Sequence, residues 1–280
     1  MRKNVTESRK WLLITAGLGS ENFEASAKRV AHSARRFSIL EHVVALNTEE
    51  TFQLCSEVRE KYPEQFKSEI RGFGFMAWKA EVVDKALRGH FGEVDGVLWV
   101  DGGCEIYPSL WTEKKLQRIL NAAEESGLYA FTLDTPEYKY TKKFLLDKYS
   151  DVPGVLESPQ IQTTWFALYG TVGRRISAEW MSRTLEDFRN LDTSASPQGE
   201  HDGFVENRYD QSIFSLVCKR LRIKPNANFN VSGGNGVFSL IRALRYPIWA
   251  SRNRTGHSII PKIFTGIGNA SLLLKIHPRR

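Results

Sequence analysis

This sequence predicts a single α/β domain with a mainly parallel sheet flanked by helices and an elaborated second half. Three observations predict it. Short apolar runs alternate with segments of helical periodicity through the first half. Those runs end in glycine or aspartate, as strands do where they pass into loops. The 280 residues, 41% of them hydrophobic, suffice for one sizeable core. Crossovers between the parallel strands should be right-handed.

Taken in order, Trp11 to Thr15 is a buried strand that ends in Ala16-Gly17-Leu18-Gly19. Asn22 to Phe37 is a helix, because Phe23, Ala27, Val30, Ala31 and Ala34 recur at helical spacing with Arg and Lys between them. His42 to Leu46 is a strand closed by Asn47-Thr48, and Thr51 to Lys61 a helix ended before Pro63. Met76 to Arg88 is a helix stopped by Gly89, and Gly96 to Val100 a strand closed by Asp101-Gly102-Gly103. Thr112 to Ser126 is a helix capped by Thr112, followed by a strand over Leu128 to Leu133.

The second half reads as a short helix over Tyr140 to Tyr149 and a strand over Gln160 to Tyr169. A helix over Ser177 to Leu191 follows, then an exposed loop over Asp192 to Gly203 and a helix over Tyr209 to Leu221. In a sheet of this kind ligands sit beyond the carboxyl ends of the strands, where Asp101 falls.

Composition excludes several classes. Three scattered cysteines with no Cys-x-x-Cys pair exclude a disulfide scaffold, a zinc ribbon and an iron–sulfur cluster. No apolar run reaches the roughly 20 residues of a membrane span. The apolar run after Met1-Arg2-Lys3 is too short and too late for a signal peptide, so a reduced cytoplasmic protein is expected. The net charge of +7, from 39 basic and 32 acidic residues, suits an anionic partner. Because the positive charges are dispersed among nearly as many negative ones, nucleic acid ranks last among such partners.

Four segments carry chemistry. In Gly96 to Cys104, Asp101 stands beyond a buried strand, where it can hold a cation or a ribose hydroxyl. It can equally do no more than open an Asp-Gly turn. In Arg71-Gly72-Phe73-Gly74-Phe75-Met76-Ala77-Trp78-Lys79, glycines and a lysine at a helix start suit a diphosphate, but a lone Gly-x-Gly is a weak pattern and aromatics so placed more often belong to a core. In Asn207 to Ser212, Asp210 and Gln211 can receive and orient a substrate hydroxyl, or Asp210 can simply cap the helix. Tyr140-Thr141-Lys142-Lys143 is a basic cluster, the commonest role of which is a solvated face.

In this order and spacing, Gly72 to Lys79, Val97 to Cys104, Tyr140 to Lys143 and Tyr209 to Ser212 resemble nucleotide-sugar-dependent glycosyltransferases of the GT-A fold. The likeness is to the bacterial and viral surface-polysaccharide type, distantly similar to the glycogenin-like and galactosyltransferase groups. It spans about Arg71 to Leu221 and implies a Rossmann-like sheet in a single domain over 1–280. About 1–135 would bind the nucleotide sugar. About 136–280 would serve the acceptor and end in a basic extension.

The resemblance further implies transfer of a hexose from a nucleotide diphosphate sugar to a glycan hydroxyl, with Asp210 and Gln211 at the reacting centre. Lys79, Asp101, Gly103, Gly74, Trp78 and Lys142 would hold the donor, and Gln160 and Gln162 the acceptor. A divalent cation, Mn²⁺ or Mg²⁺, would fall to Asp101, Glu105 and His257. Gly103 stands where many such enzymes carry a second metal-binding Asp, so metal dependence is open. Without a metal, Lys79, Lys142 and Arg71 would neutralise the diphosphate.

Lower-ranked candidates are a lid at His201-Asp202 and a glycine cradle at Gly233 to Gly236. Ile259 to Leu274 reads as a packed extension or as a segment resting on the inner face of an anionic membrane. The rival function is a non-catalytic nucleotide- or carbohydrate-binding protein of the same fold.

Overall fold

The computed structural model describes residues 9–228 and 246–257. Ten strands occur among them: β1 (Trp11–Ala16), β2 (His42–Leu46), β3 (Gly96–Val100), β4 (Glu105–Ile106), β5 (Leu128–Tyr129), β6 (Phe131–Pro136), β7 (Pro159–Ile161), β8 (Trp165–Tyr169), β9 (Ala227–Asn228) and β10 (Ile248–Trp249). The central sheet has the order β2-β1-β3-β8-β5. β1 is parallel to β2 and to β3, and β8 is antiparallel to both β3 and β5. Four of its five strands therefore point the same way, which is the mainly parallel α/β sheet expected.

Strand alternation divides the core into two layers. Leu12, Ile14, Val97 and Trp99 face the helices Ala77–Leu87, Gly170–Glu186 and Tyr209–Arg220. Trp11, Leu13, Leu98 and Val100 face the helices Glu21–Ala34 and Leu110–Ser126. Where β1 ends, a Cβ on Gly17 would lie 2.0 Å from the carbonyl oxygen of Phe23. Only glycine lets the first turn of the next helix come that close to the strand end.

Several expected elements are divided. The helix expected over Thr51 to Lys61 starts earlier, at Thr48, under an Asn47–Glu50 capping box, and breaks at Cys55 into two short helices. The cap at the start of the Leu110–Ser126 helix is Ser109, with Thr112 as its reciprocal partner three residues on. Tyr140 to Tyr149 is two one-turn helices, Glu137–Tyr140 and Lys143–Asp147, separated by an extended Thr141.

The single strands expected over Leu128 to Leu133 and Gln160 to Tyr169 are two strands each. In both cases one half joins the central sheet and the other joins a small sheet of order β7-β6-β9. The fourth long helix starts at Gly170 and ends at Glu186. Gly233 to Gly236 and Ile259 to Leu274 lie outside the described residues. No helix among the described residues is long and apolar enough to cross a membrane.

Candidate functional site

The site begins with an inversion of backbone hand. Gly72, Phe73, Gly74, Phe75 and Met76 all have positive φ, between 51° and 85°. Phe75 N–H donates to Arg71 O at 2.8 Å and Met76 N–H to Gly72 O at 3.1 Å, so these residues form one turn of left-handed helix. Each non-glycine residue in that conformation costs roughly 1–2 kcal/mol. Packing holds the turn: Phe73 is edge-on to Phe66 at 5.3 Å, Phe75 lies 5.0 Å from Tyr209, and the Trp78 indole N–H donates to Gly72 O at 3.0 Å. The right-handed helix then starts at Ala77, with Lys79 in its first turn facing the sheet.

Lys79 is 1% exposed, and its ammonium meets three oxygens. Asp101 Oδ1 lies at 2.9 Å, Thr163 O at 3.0 Å and Asp210 Oδ2 at 3.4 Å. Three N–H donors and three acceptors leave the ammonium saturated. Asp101 continues the parity of Val97 and Trp99, so its side chain falls on the same face of the sheet as the Lys79 helix. The Trp99 indole N–H donates to Asp101 Oδ1 at 2.7 Å, and the Asp101 side chain keeps 34% of its surface open. Its Oδ2 carries no hydrogen bond from any described residue.

The chain turns after the strand. Cys104 N–H donates to Asp101 O at 2.9 Å, so Asp101 both opens a turn and presents a carboxylate.

Asp210 sits in the first turn of the Tyr209–Arg220 helix, following a left-handed Tyr209. It does not cap that helix. Its carboxylate accepts from Thr163 Oγ1 at 3.1 Å and faces Lys79. Burial pushes the Asp210 carboxyl above the usual aspartate range, against the pull of Lys79. Burial works to lower the Lys79 pKa, but Asp101 and Asp210 outweigh it and leave it raised. Two carboxylates around one ammonium give a cluster of net charge −1, with Asp101 as its outlet to solvent.

A second layer fixes these groups. Gln211 accepts from Thr163 N–H at 3.3 Å and donates to Gln160 Oε1 at 2.6 Å. Gln160 in turn donates towards Glu137, Tyr140 O, Thr141 and Ser212. Arg29, buried in the second layer of the core, donates to Gly102 O at 2.9 Å and Cys104 O at 2.8 Å. It also reaches the carbonyls of Asn253 and Thr255. This one guanidinium clamps the Asp101 turn to the 253–255 segment.

Arg252, another left-handed residue, passes over that turn, its Cα 3.5 Å from where a Gly103 Cβ would stand. Its charge is felt by Arg208, which lies over the Tyr140 ring at 3.6 Å. Burial holds the Arg208 guanidinium below its ordinary pKa. Arg71 lies over Tyr209 at 5.3 Å. Left-handed non-glycine residues thus cluster around the triad, as strain does at functional sites.

The structure brings Lys79, Asp101 and Asp210 together and gives other predicted residues different work. Lys79 has no donor left for a diphosphate. Lys142, also 1% exposed, is spent on Asp192 Oδ1 at 2.7 Å, Ser194 Oγ at 3.1 Å and Arg189 O at 2.8 Å. It ties down the loop expected to be exposed, which is largely exposed, and Glu200 and Asn207 tether the same loop. Gly74 and Trp78 serve the left-handed turn, since a Cβ on Gly74 would lie 3.1 Å from Gln65 O.

Gln160 and Gln211 are engaged at both ends of their amides. Gln162 keeps one free atom: its Nε2 donates to Thr164 Oγ1 at 2.9 Å, while its buried Oε1 has no partner among the described residues. Gly103 gives its carbonyl to Asn253 N–H and Ser251 Oγ. His201 Nε2 is buried without a partner among the described residues.

The residues expected to share a divalent cation are engaged separately. Glu105 is buried against Arg29 Nε at 3.7 Å and accepts from Asn253 Nδ2. His257 is exposed, and its carbonyl accepts from Asn253 Nδ2 at 2.8 Å. Among the described residues no group of three His, Cys, Asp or Glu side chains could hold a metal ion. The donor set does not fit a metal carried by these three residues.

Arg29, Trp99, Thr163 and Arg208 are the site residues that sequence reasoning missed. Only Trp99 carried a signal, its period-two relation to Asp101. Neither a family model nor a curated protein matches this chain.

Proposed function

We propose that the protein is a glycosyltransferase that moves a hexose from a nucleotide diphosphate sugar to a hydroxyl of a glycan acceptor. One observation carries this reading: the four segments singled out in the sequence are neighbours at one site. Lys79, Asp101 and Asp210 bring three of them together. The fourth joins through Tyr140, whose carbonyl accepts from Ser212 Oγ at 2.8 Å and whose ring underlies Arg208.

In this reading Asp101 receives a donor ribose hydroxyl on its free oxygen. Lys79 keeps that carboxylate aimed, and it acts as a positioning residue. Asp210 balances Lys79 from the other side and acts through it. The negative charge of the departing diphosphate falls to Arg71, Arg208 and Arg252, which carry no carboxylate ion pair among the described residues. Gln162 Oε1 is the acceptor atom left for a sugar hydroxyl.

The saturation of Lys79 favours a second reading, a protein that binds the nucleotide sugar and transfers nothing. Transfer and hydrolysis of a panel of nucleotide sugars, with and without Mn²⁺, separate the two. Turnover that falls at least tenfold in Asp101→Asn and Arg208→Gln supports transfer. Binding without turnover under every condition supports the second reading, and neither binding nor turnover removes both.

A further inference from the structure

We infer that the start of the Leu110–Ser126 helix is a docking surface for an anionic membrane. Leu110 is 82% exposed and Trp111 54%, two large apolar side chains side by side on the first helical turn. Exposed Leu and Trp at a helix end suit the boundary between headgroups and acyl chains, where indole rings concentrate.

Charge complementarity identifies the occupant. Lys114 and Arg118 are exposed at helical spacing from Leu110 and Trp111, so they share their face. Lys115 Nζ lies 3.2 Å from the centre of the Trp111 ring. The one acid of this turn, Glu113, is already engaged, accepting from Ser38 N–H at 2.7 Å and Ser38 Oγ at 2.6 Å. An apolar wedge with the exposed cations Lys114 and Arg118 beside it and its one acid engaged by Ser38 matches an anionic lipid surface. The chain's net charge of +7 acts in the same direction at longer range.

The test is flotation of the full chain with vesicles of phosphatidylcholine alone and of phosphatidylcholine mixed with phosphatidylglycerol. It needs no sugar donor, so its outcome is independent of the proposed transfer reaction. The wild type is expected to float with the mixed vesicles, less so as salt rises, and to stay behind with phosphatidylcholine alone. Lys114→Gln with Arg118→Gln should weaken partition by about fivefold for each charge removed. Leu110→Glu with Trp111→Glu should abolish it while melting as the wild type does.

Lys61→Gln with Lys224→Gln, exposed cations elsewhere, should leave partition unchanged. Absence of binding, an equal loss in that control pair, or unaltered binding of the Leu110/Trp111 variant would overturn the inference. A dimer in sedimentation that the Leu110/Trp111 variant dissolves would assign the surface to a second copy instead, and so also overturn it.

Discussion

Lys79 Nζ and Asp101 Oδ1 lie 2.9 Å apart, one from the start of a helix and the other from the end of the central strand it packs on. The ammonium is sealed while the carboxylate is open, so the pair presents negative charge to solvent and keeps its positive charge inside. Replacing Lys79 with Met removes the inner member and strands a buried Asp210. Breaking a buried pair in this way costs about 3–5 kcal/mol. Urea unfolding of Lys79→Met should show a loss of that size, and Lys79→Met with Asp210→Asn should recover part of it. Additive losses would mean that the two groups are not coupled.

Glycine positions separate close approach from mere backbone freedom. Gly17→Ala drives a Cβ into the Phe23 carbonyl and should cost more than about 3 kcal/mol or prevent folding. Gly154, at φ +65° with nothing within 4 Å of a built Cβ, should cost about 1 kcal/mol as Ala. Comparable melting temperatures for the two variants would contradict the close approach at Gly17.

Arg29→Met removes the clamp between the Asp101 turn and the 253–255 segment. Amide exchange should accelerate at 102–104 and 253–255 at least tenfold, and far less at the strands β1 and β2. Unchanged protection at both segments would show that the turn is held by other contacts.

Glu24 links the first helix to the end of β2 by accepting from Thr48 N–H at 3.1 Å and Thr48 Oγ1 at 2.8 Å. Those hydrogen bonds hold its carboxyl below the usual glutamate range. A lowered folded-state pKa means stability that is present above the unfolded value and lost as pH falls through the folded one. Acid titration of stability should therefore be shallower in Glu24→Gln than in the wild type below the ordinary glutamate pKa. Superimposable acid limbs would remove Glu24 from the ledger of acid-labile contacts.

The sheet was legible because it follows from periodicity, whereas Lys79 and Asp101 were expected together only as donor-binding residues that the resemblance implies. Alternation along Val97, Trp99 and Asp101 selects one face, and the helix carrying Lys79 covers that face. What the lysines do there was not legible, since Lys79 and Lys142 look like free cations until burial reveals their carboxylate partners. The left-handed turn was hidden for a different reason. Phe73, Phe75 and Met76 are residues that avoid positive φ, and only tertiary packing on Phe66, Phe188 and Tyr209 holds them there. The divided strands escaped notice because continuous apolar runs do not mark where a chain leaves one sheet for another. Arg29 is one of the basic residues between the apolar positions of its helix, and nothing in that pattern marks it as the one that is buried beneath the Asp101 turn.

The central claim is that the open oxygen of Asp101 holds an activated sugar donor. Thermal unfolding of the wild type and of Asp101→Asn with a panel of nucleotide diphosphate sugars tests it most directly. At 100 times its dissociation constant the right donor should stabilise the wild type by about 2.7 kcal/mol, and Asp101→Asn should lose most of that gain. A panel in which no donor raises the wild-type melting temperature, or a variant stabilised as much as the wild type, would contradict the account.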